Sequence, residues 1–301
     1  VSLIRIGIQI GSLKLPLKKA LLTASKLGAT GVELDARTDV RPSDLSGTAV
    51  RQLRKLLDDC NLRVVAIRFQ TRRGYNIESD LDRRIDATKD AMRMAVDLHC
   101  PVVVNQVGRI EPFQRQEAGA NASTDDSTPL LPDSKASSGE IVLPARTTFE
   151  SNNTPDPNAT LQAVLSDLGQ FGQKVGVRLA CETGSESLST MSQFLNTLPG
   201  AVLGVALNPG NLILNDFGLE DLGKVARDVV LVHAKDGVRD LARGRGVEVP
   251  LGQGTAEFPL IAAHLSQYQY NGFFVIEREQ MEDPVDEIAQ SIEYLRNAIE
   301  Y

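Results

Sequence analysis

Glu182, Asn208, His233 and Glu277 each close a short apolar run: VRLAC, LGVAL, VVLV and GFFVI respectively. A parallel strand covered on both faces reads as an unbroken apolar run, and residues at its C-terminal end project where a barrel enzyme does its chemistry. Two carboxylates, a carboxamide and an imidazole gathered there could hold one divalent metal. An oxygen-rich set with a single imidazole favours Mn2+ or Mg2+, with Zn2+ or Co2+ open at lower coordination. Side chains alternate along a strand, so Glu182 shares a face with Ala180, Asn208 with Ala206, His233 with Leu231 and Glu277 with Val275. All four are expected to point into one mouth.

The elements that must position them alternate along the chain. Strand patterns at IRIGIQI, TGVELDA, RVVAIRF, PVVVNQV, VRLACE, LGVALN, VVLVHAK and GFFVIE are separated by helical periodicities at PLKKALLTASKLGA, 43–60, 77–99, 158–174, 188–196, 219–226 and 259–268, and a last helix runs to Ile299. Eight strand-helix units predict an α/β fold, a (β/α)8 TIM barrel over residues 1–301 as a single domain. A doubly wound open sheet is the alternative, but GSLKL after the first strand lacks the dinucleotide fingerprint.

Residues 109–154 break the rhythm. EAGANASTDDSTPLLPDSKASSGE is rich in Ser, Asn, Asp, Gly and Pro and has no sustained period, which predicts an irregular insertion after strand four, on the C-terminal face.

Composition excludes several classes of function. A formal charge of -7 argues against nucleic acid or an anionic membrane, because phosphate binding needs clustered Lys and Arg. No stretch approaches the ~20 apolar residues that span a bilayer. The three cysteines, Cys60, Cys100 and Cys181, show no CxxC spacing, so neither a disulfide framework nor a zinc ribbon is expected. A reducing, cytoplasmic setting follows as the expectation, with anything upstream of Val1 unread. The expected partner is a small sugar or polyol, and a homo-oligomer is compatible with it.

The order of these strand-end residues, together with LVHAKD, PLGQGTAEFPLIAAHL and YNGFFVIE, resembles the xylose-isomerase-like TIM-barrel family of sugar isomerases and epimerases. The likeness is specific in the second half and rests on TGVELDA and the β-α rhythm in the first. It implies Glu182 and Glu277 as metal ligands that also exchange protons with substrate, with His233 completing the metal shell. The family's usual aspartate is Asn208 here, and its usual histidine three positions on is Asn211. A carboxamide oxygen can still coordinate, with one negative charge fewer.

The implied reaction moves a proton alpha to the carbonyl of a ketose or related polyol, and a keto-cyclitol dehydratase would start the same way. A barrel that binds carbohydrate without turning it over is the reading from another class, motivated by Asn208 and Asn211. Phosphodiester hydrolysis at abasic DNA is disfavoured, since its multi-zinc cluster demands several histidines and only His233 is suitably placed. His99 and His264 read as helix residues. Lys235 shares the parity of His233 and could bind a substrate hydroxyl or pair with a carboxylate. Glu33, Arg68 and Gln106 at the ends of the first strands, and Asn211, complete the candidate substrate contacts. Gly252 and Gly254 are expected to permit a tight turn.

Overall fold

A β-branched, apolar run covered on both faces forms a parallel strand only if helices cap it outside and other strands fill it inside. The computed structural model, which describes residues 4–112, 156–198, 200, 202–240 and 245–299, satisfies both demands with a closed barrel. Its strands are β1 (Arg5–Gln9), β2 (Gly31–Asp35), β3 (Arg63–Arg68), β4 (Val102–Asn105), β5 (Arg178–Glu182), β6 (Leu203–Leu207), β7 (Val229–Ala234) and β10 (Phe273–Ile276). All neighbours are parallel, in the order β1-β10-β7-β6-β5-β4-β3-β2, and β1 closes on β2. Between β7 and β10 lies an antiparallel hairpin of β8 (Asp236–Val238) and β9 (Val247–Val249), which the sequence reading did not foresee.

The helices follow the expected rhythm: α1 (Leu17–Lys26), α2 (Gly47–Asp59), α3 (Leu81–Asp97), α4 (Ala159–Val175), α5 (Leu188–Asn196), α6 (Pro209–Leu214), α7 (Leu222–Val225), α8 (Phe258–Ser266) and α9 (Pro284–Ile299). Local chemistry sets several ends. Ser46 and Ser187 cap α2 and α5 by accepting the N–H of Ala49 and Thr190, and Gly176 stops α4 in the left-handed region. The short helix α6 was not foreseen; Asn208 caps it and Pro209 fits its first turn.

Inside the barrel, Val65, Ala66, Val102, Val104, Ala180, Ala206, Leu231, Phe273 and Val275 pack into one buried cluster. Ala180, Ala206, Leu231 and Val275 are the residues that alternation pairs with the strand-end quartet, so that quartet caps the core at its C-terminal mouth.

Most of segment 109–154 lies outside the described residues. At its base, Asn158, itself buried, accepts the N–H of Glu111 (3.0 Å) and donates to the Glu111 carbonyl (2.9 Å). Among the described residues no helix is long and apolar enough to cross a membrane.

Candidate active site

Asn208, first residue past β6, has a carboxamide whose orientation is decided by helix α6. Its Oδ1 accepts the backbone N–H of Asn211 (3.0 Å), so Nδ2 is turned the other way. That nitrogen donates to Glu182 Oε1 (2.9 Å) and Glu277 Oε2 (2.8 Å), tying the ends of β5 and β10 together across the mouth. The backbone is fixed as well, because Asn208 N–H donates to Thr183 Oγ1 (2.9 Å). Asn208 therefore presents a donor to the carboxylates, not the oxygen that metal ligation requires.

His233 stands between the same two glutamates. Its Nε2 meets Glu33 Oε2 at 2.9 Å, and its Nδ1 lies 3.3 Å from Glu182 Oε1 and 3.8 Å from Glu277 Oε2. Nδ1 is buried with no hydrogen bond of good geometry among the described residues. One ligand atom each from Glu182, His233 and Glu277 falls within 4.8 Å of the others, an arrangement that could hold a metal ion. The orphaned imidazole nitrogen, turned toward two carboxylates, fits such an ion.

Glu33, completely buried, spends both oxygens on neighbours: Oε1 accepts from Gln9 Nε2 (2.9 Å), and Oε2 faces His233. It orients the imidazole. Arg68 reaches Glu277 Oε1 at 3.4 Å from the end of β3. Lys235 joins from just past β7; Nζ donates to Glu279 (2.9 Å) and lies 3.7 Å from Glu277 Oε1 and 3.8 Å from Glu248. Its ion-pair partners are thus these glutamates and not the adjacent Asp236. Asn211 Nδ2 donates to Glu182 Oε1 at 3.3 Å. The structure thereby gathers Glu33, Arg68, Glu182, Asn208, Asn211, His233, Lys235 and Glu277 around one mouth.

Gln106 does not join them. It is exposed past the end of β4, and no hydrogen bond links it to the cluster among the described residues. The buried residue there is Asn105, which accepts Thr71 N–H (3.3 Å) and donates to Tyr75 (2.6 Å). This steadies the loop that carries Gln70, whose Nε2 donates to Glu182 Oε2 at 2.9 Å. Sequence reasoning missed Gln70 and Gln9. Only Gln9, at the C-terminal end of β1, had a strand-end position that could have flagged it. Glu186, on the β5–α5 connection, was also missed; it is buried and its Oε2 lacks a partner among the described residues.

The charges explain the titration of the site. Burial opposes ionisation of Glu182, but His233, Arg68 and Asn208 outweigh it and hold the carboxyl down to about 2. Glu277 goes the other way: burial raises it, Glu182 adds to that, and His233, Lys235 and Arg68 do not cancel them. Two carboxylates this close resist carrying charge together, and the one with more donors keeps it. Burial also disfavours a charged His233, yet Glu33, Glu182 and Glu277 raise its pKa well above the ordinary value. Glu33 is lowered against its own burial by His233, Arg68 and Gln9.

Beside the site, Asp236 organises the glycine loop. Its Oδ1 accepts the N–H groups of Gly237 (2.8 Å) and Ala256 (3.1 Å), and its Oδ2 those of Gly252 (2.9 Å) and Gly254 (3.0 Å). Gly252 has φ 85°, and a Cβ on Gly254 would collide with the Asp236 carboxylate. Both glycines are thus turn residues, as expected. Arg278 is buried nearby, bonded to the Val249 carbonyl (2.6 Å), Glu248 (3.0 Å) and Glu287 (2.7 Å).

A family model described as a xylose isomerase-like TIM barrel matches residues 21–298. No curated protein matches the chain in sequence. Among solved structures, a xylose isomerase domain protein from Planctomyces limnophilus superposes with a TM-score of 0.74 at 20% identity, covering 98% of this chain and 96% of that one. The IolI protein with a bound zinc atom gives 0.72 at 15% identity, with 98% of each chain covered. The 3-keto-D-glucoside 4-epimerase YcjR from E. coli gives 0.67 at 15% identity, covering 98% of this chain and 99% of that one. At these identities the structural likeness establishes the fold.

Proposed function

The chain belongs to the xylose isomerase-like TIM-barrel family, and from that premise we propose that it is a metal-assisted sugar isomerase or epimerase, moving a proton alpha to the carbonyl of a ketose or related polyol. The observation that carries this reading is the approach of Glu182 and Glu277 from β5 and β10 to one donor, Asn208 Nδ2, at 2.9 and 2.8 Å. The two carboxylates face one small volume from different strands. Similarity to a keto-glucoside epimerase and to a zinc-containing barrel supports the same assignment.

In this reading Glu182, His233 and Glu277 would hold a divalent cation, which when bound would supply Lewis acidity toward substrate oxygen. One glutamate takes the proton from carbon. In epimerisation the other returns a proton to the opposite face, whereas in aldose-ketose isomerisation the proton moves between adjacent carbons. A positioned acid or base contributes typically ~10²- to 10⁴-fold. Gln70 and Asn211 keep Glu182 aimed, each by a hydrogen bond to one of its oxygens. Arg68 and Lys235, on the Oε1 side of Glu277, offer cationic donors for charge that develops on substrate oxygen when the proton leaves. Glu33 fixes the imidazole ring.

Deuterium wash-in tests the assignment. Incubated with Mn2+ and a panel of ketoses and inososes in heavy water, the protein should catalyse exchange of one carbon-bound hydrogen in at least one sugar. A keto-cyclitol dehydratase would show the same exchange followed by loss of water. A panel with no exchange at all would favour a barrel that binds carbohydrate without turning it over.

A further inference from the structure

A mouth with three buried glutamates, Glu33, Glu182 and Glu277, needs donors or cations to stay assembled. Glu33 is served by Gln9 and His233. For Glu182 and Glu277 the donor they share through hydrogen bonds is the Asn208 amide, at 2.9 and 2.8 Å. That amide cannot simply turn over to offer its oxygen. Oδ1 takes the Asn211 N–H at 3.0 Å, and a flip would set an NH2 group against that N–H, losing the cap of α6 as well as both carboxylate bonds. An aspartate at this position would keep the cap and place a fourth carboxylate where the donor now stands.

We infer that Asn208 is a built-in substitute for a cation: its NH2 group cross-links Glu182 and Glu277, so the mouth is assembled in the metal-free protein, and any metal is a removable guest and not part of the scaffold. The inference rests on the functional reading for the identity of that guest, but the cross-link is made by the chain's own residues and is tested separately. Two substitutions separate the roles of the side chain. Asn208→Ser retains an oxygen that can cap α6 but is too short to donate to both glutamates. Asn208→Asp retains the cap and turns the donor into an anion.

The experiment is thermal unfolding of the full chain in chelator and in Mn2+, alongside Mn2+ binding by calorimetry. The wild-type midpoint should differ by less than ~2 °C between the two conditions, a difference worth less than one factor of ten in the folding equilibrium. In chelator both variants should unfold at least ~5 °C below wild type. Mn2+ should restore Asn208→Asp, with affinity at least ~10-fold tighter than wild type, because a site with one more carboxylate stabilises the folded state by mass action. A wild-type midpoint that drops in chelator as far as that of Asn208→Asp would overturn the inference. So would an Asn208→Ser protein as stable as wild type in chelator, a result that would remain decisive if the aspartate variant failed to fold. Absence of Mn2+ binding in both wild type and Asn208→Asp would instead sink the metal in the functional reading, leaving the chelator comparison to judge the cross-link.

Discussion

Asp236 and the pair Glu182 and Glu277 are buried carboxylates within one end of one barrel, and they are held in opposite ways. Asp236 accepts backbone N–H groups, from Gly237, Gly252, Gly254 and Ala256. The two glutamates are held by side chains: Asn208 on both, with Gln70 and Asn211 on Glu182 and Arg68 and Lys235 near Glu277. Backbone amides of a folded loop do not leave, so the first arrangement fixes chain geometry. Side-chain donors can be exchanged for groups of a ligand, so the second keeps carboxylates available while the protein waits. The nature of the partner, more than burial or charge, separates scaffold from chemistry here.

Substitutions at four buried carboxylates press on that contrast. The largest effect is expected from Glu182→Gln or Glu277→Gln: hydrogen exchange on the responsive sugar should fall ~10²- to 10⁴-fold, while the thermal midpoint stays within ~4 °C because the new amide can still accept a bond. A midpoint collapse with both variants would make the glutamates structural like Asp236. Next comes Asp236→Asn, which should cost about 2–4 kcal/mol of stability by stripping charge-assisted bonds and turning an NH2 toward backbone N–H groups. Denaturant unfolding reads it, and unchanged stability would dissolve the distinction.

The remaining test is read as a pH slope and concerns Glu186, which is buried with Oε2 unpartnered among the described residues. Burial raises its pKa from 4.5 to about 8, and the Ile110 backbone and Arg109 only partly oppose this. The folded chain then keeps a proton that the unfolded chain releases, so stability should fall as pH rises from about 4.5 to about 8. The slope is at most about 1.4 kcal/mol per pH unit, and it levels off above that range. Glu186→Gln should flatten the curve and unfold later than wild type at pH above the window. Parallel curves for the two proteins would show that Glu186 has a partner in solution.

The barrel was legible because a parallel strand and a covering helix leave periodic marks. Each strand that forms part of the barrel had its apolar run, and the quartet at the strand ends could be placed by alternation alone. What escaped was aperiodic. Strands β8 and β9 are three residues each and α6 is six, too short for a period to show. Gln70 lies in a loop, and its place depends on Asn105 and Tyr75 holding that loop from below. Gln106 has the inward parity of Val102 and Val104, but β4 ends at Asn105 and the alternation stops with it. Asn208 was visible as a residue but not as a direction. Its orientation is fixed by a cap on a helix that the pattern did not reveal.

The clasp between Asn158 and Glu111 has a consequence for how such a chain can change. Its paired bonds, at 3.0 and 2.9 Å, pin together the two points where the polypeptide departs from and rejoins the barrel. The entropic penalty of bridging those points grows only with the logarithm of the intervening length. The clasp therefore holds the start of α4 beside the end of β4 at an entropic cost that depends only weakly on how much chain lies between the pins.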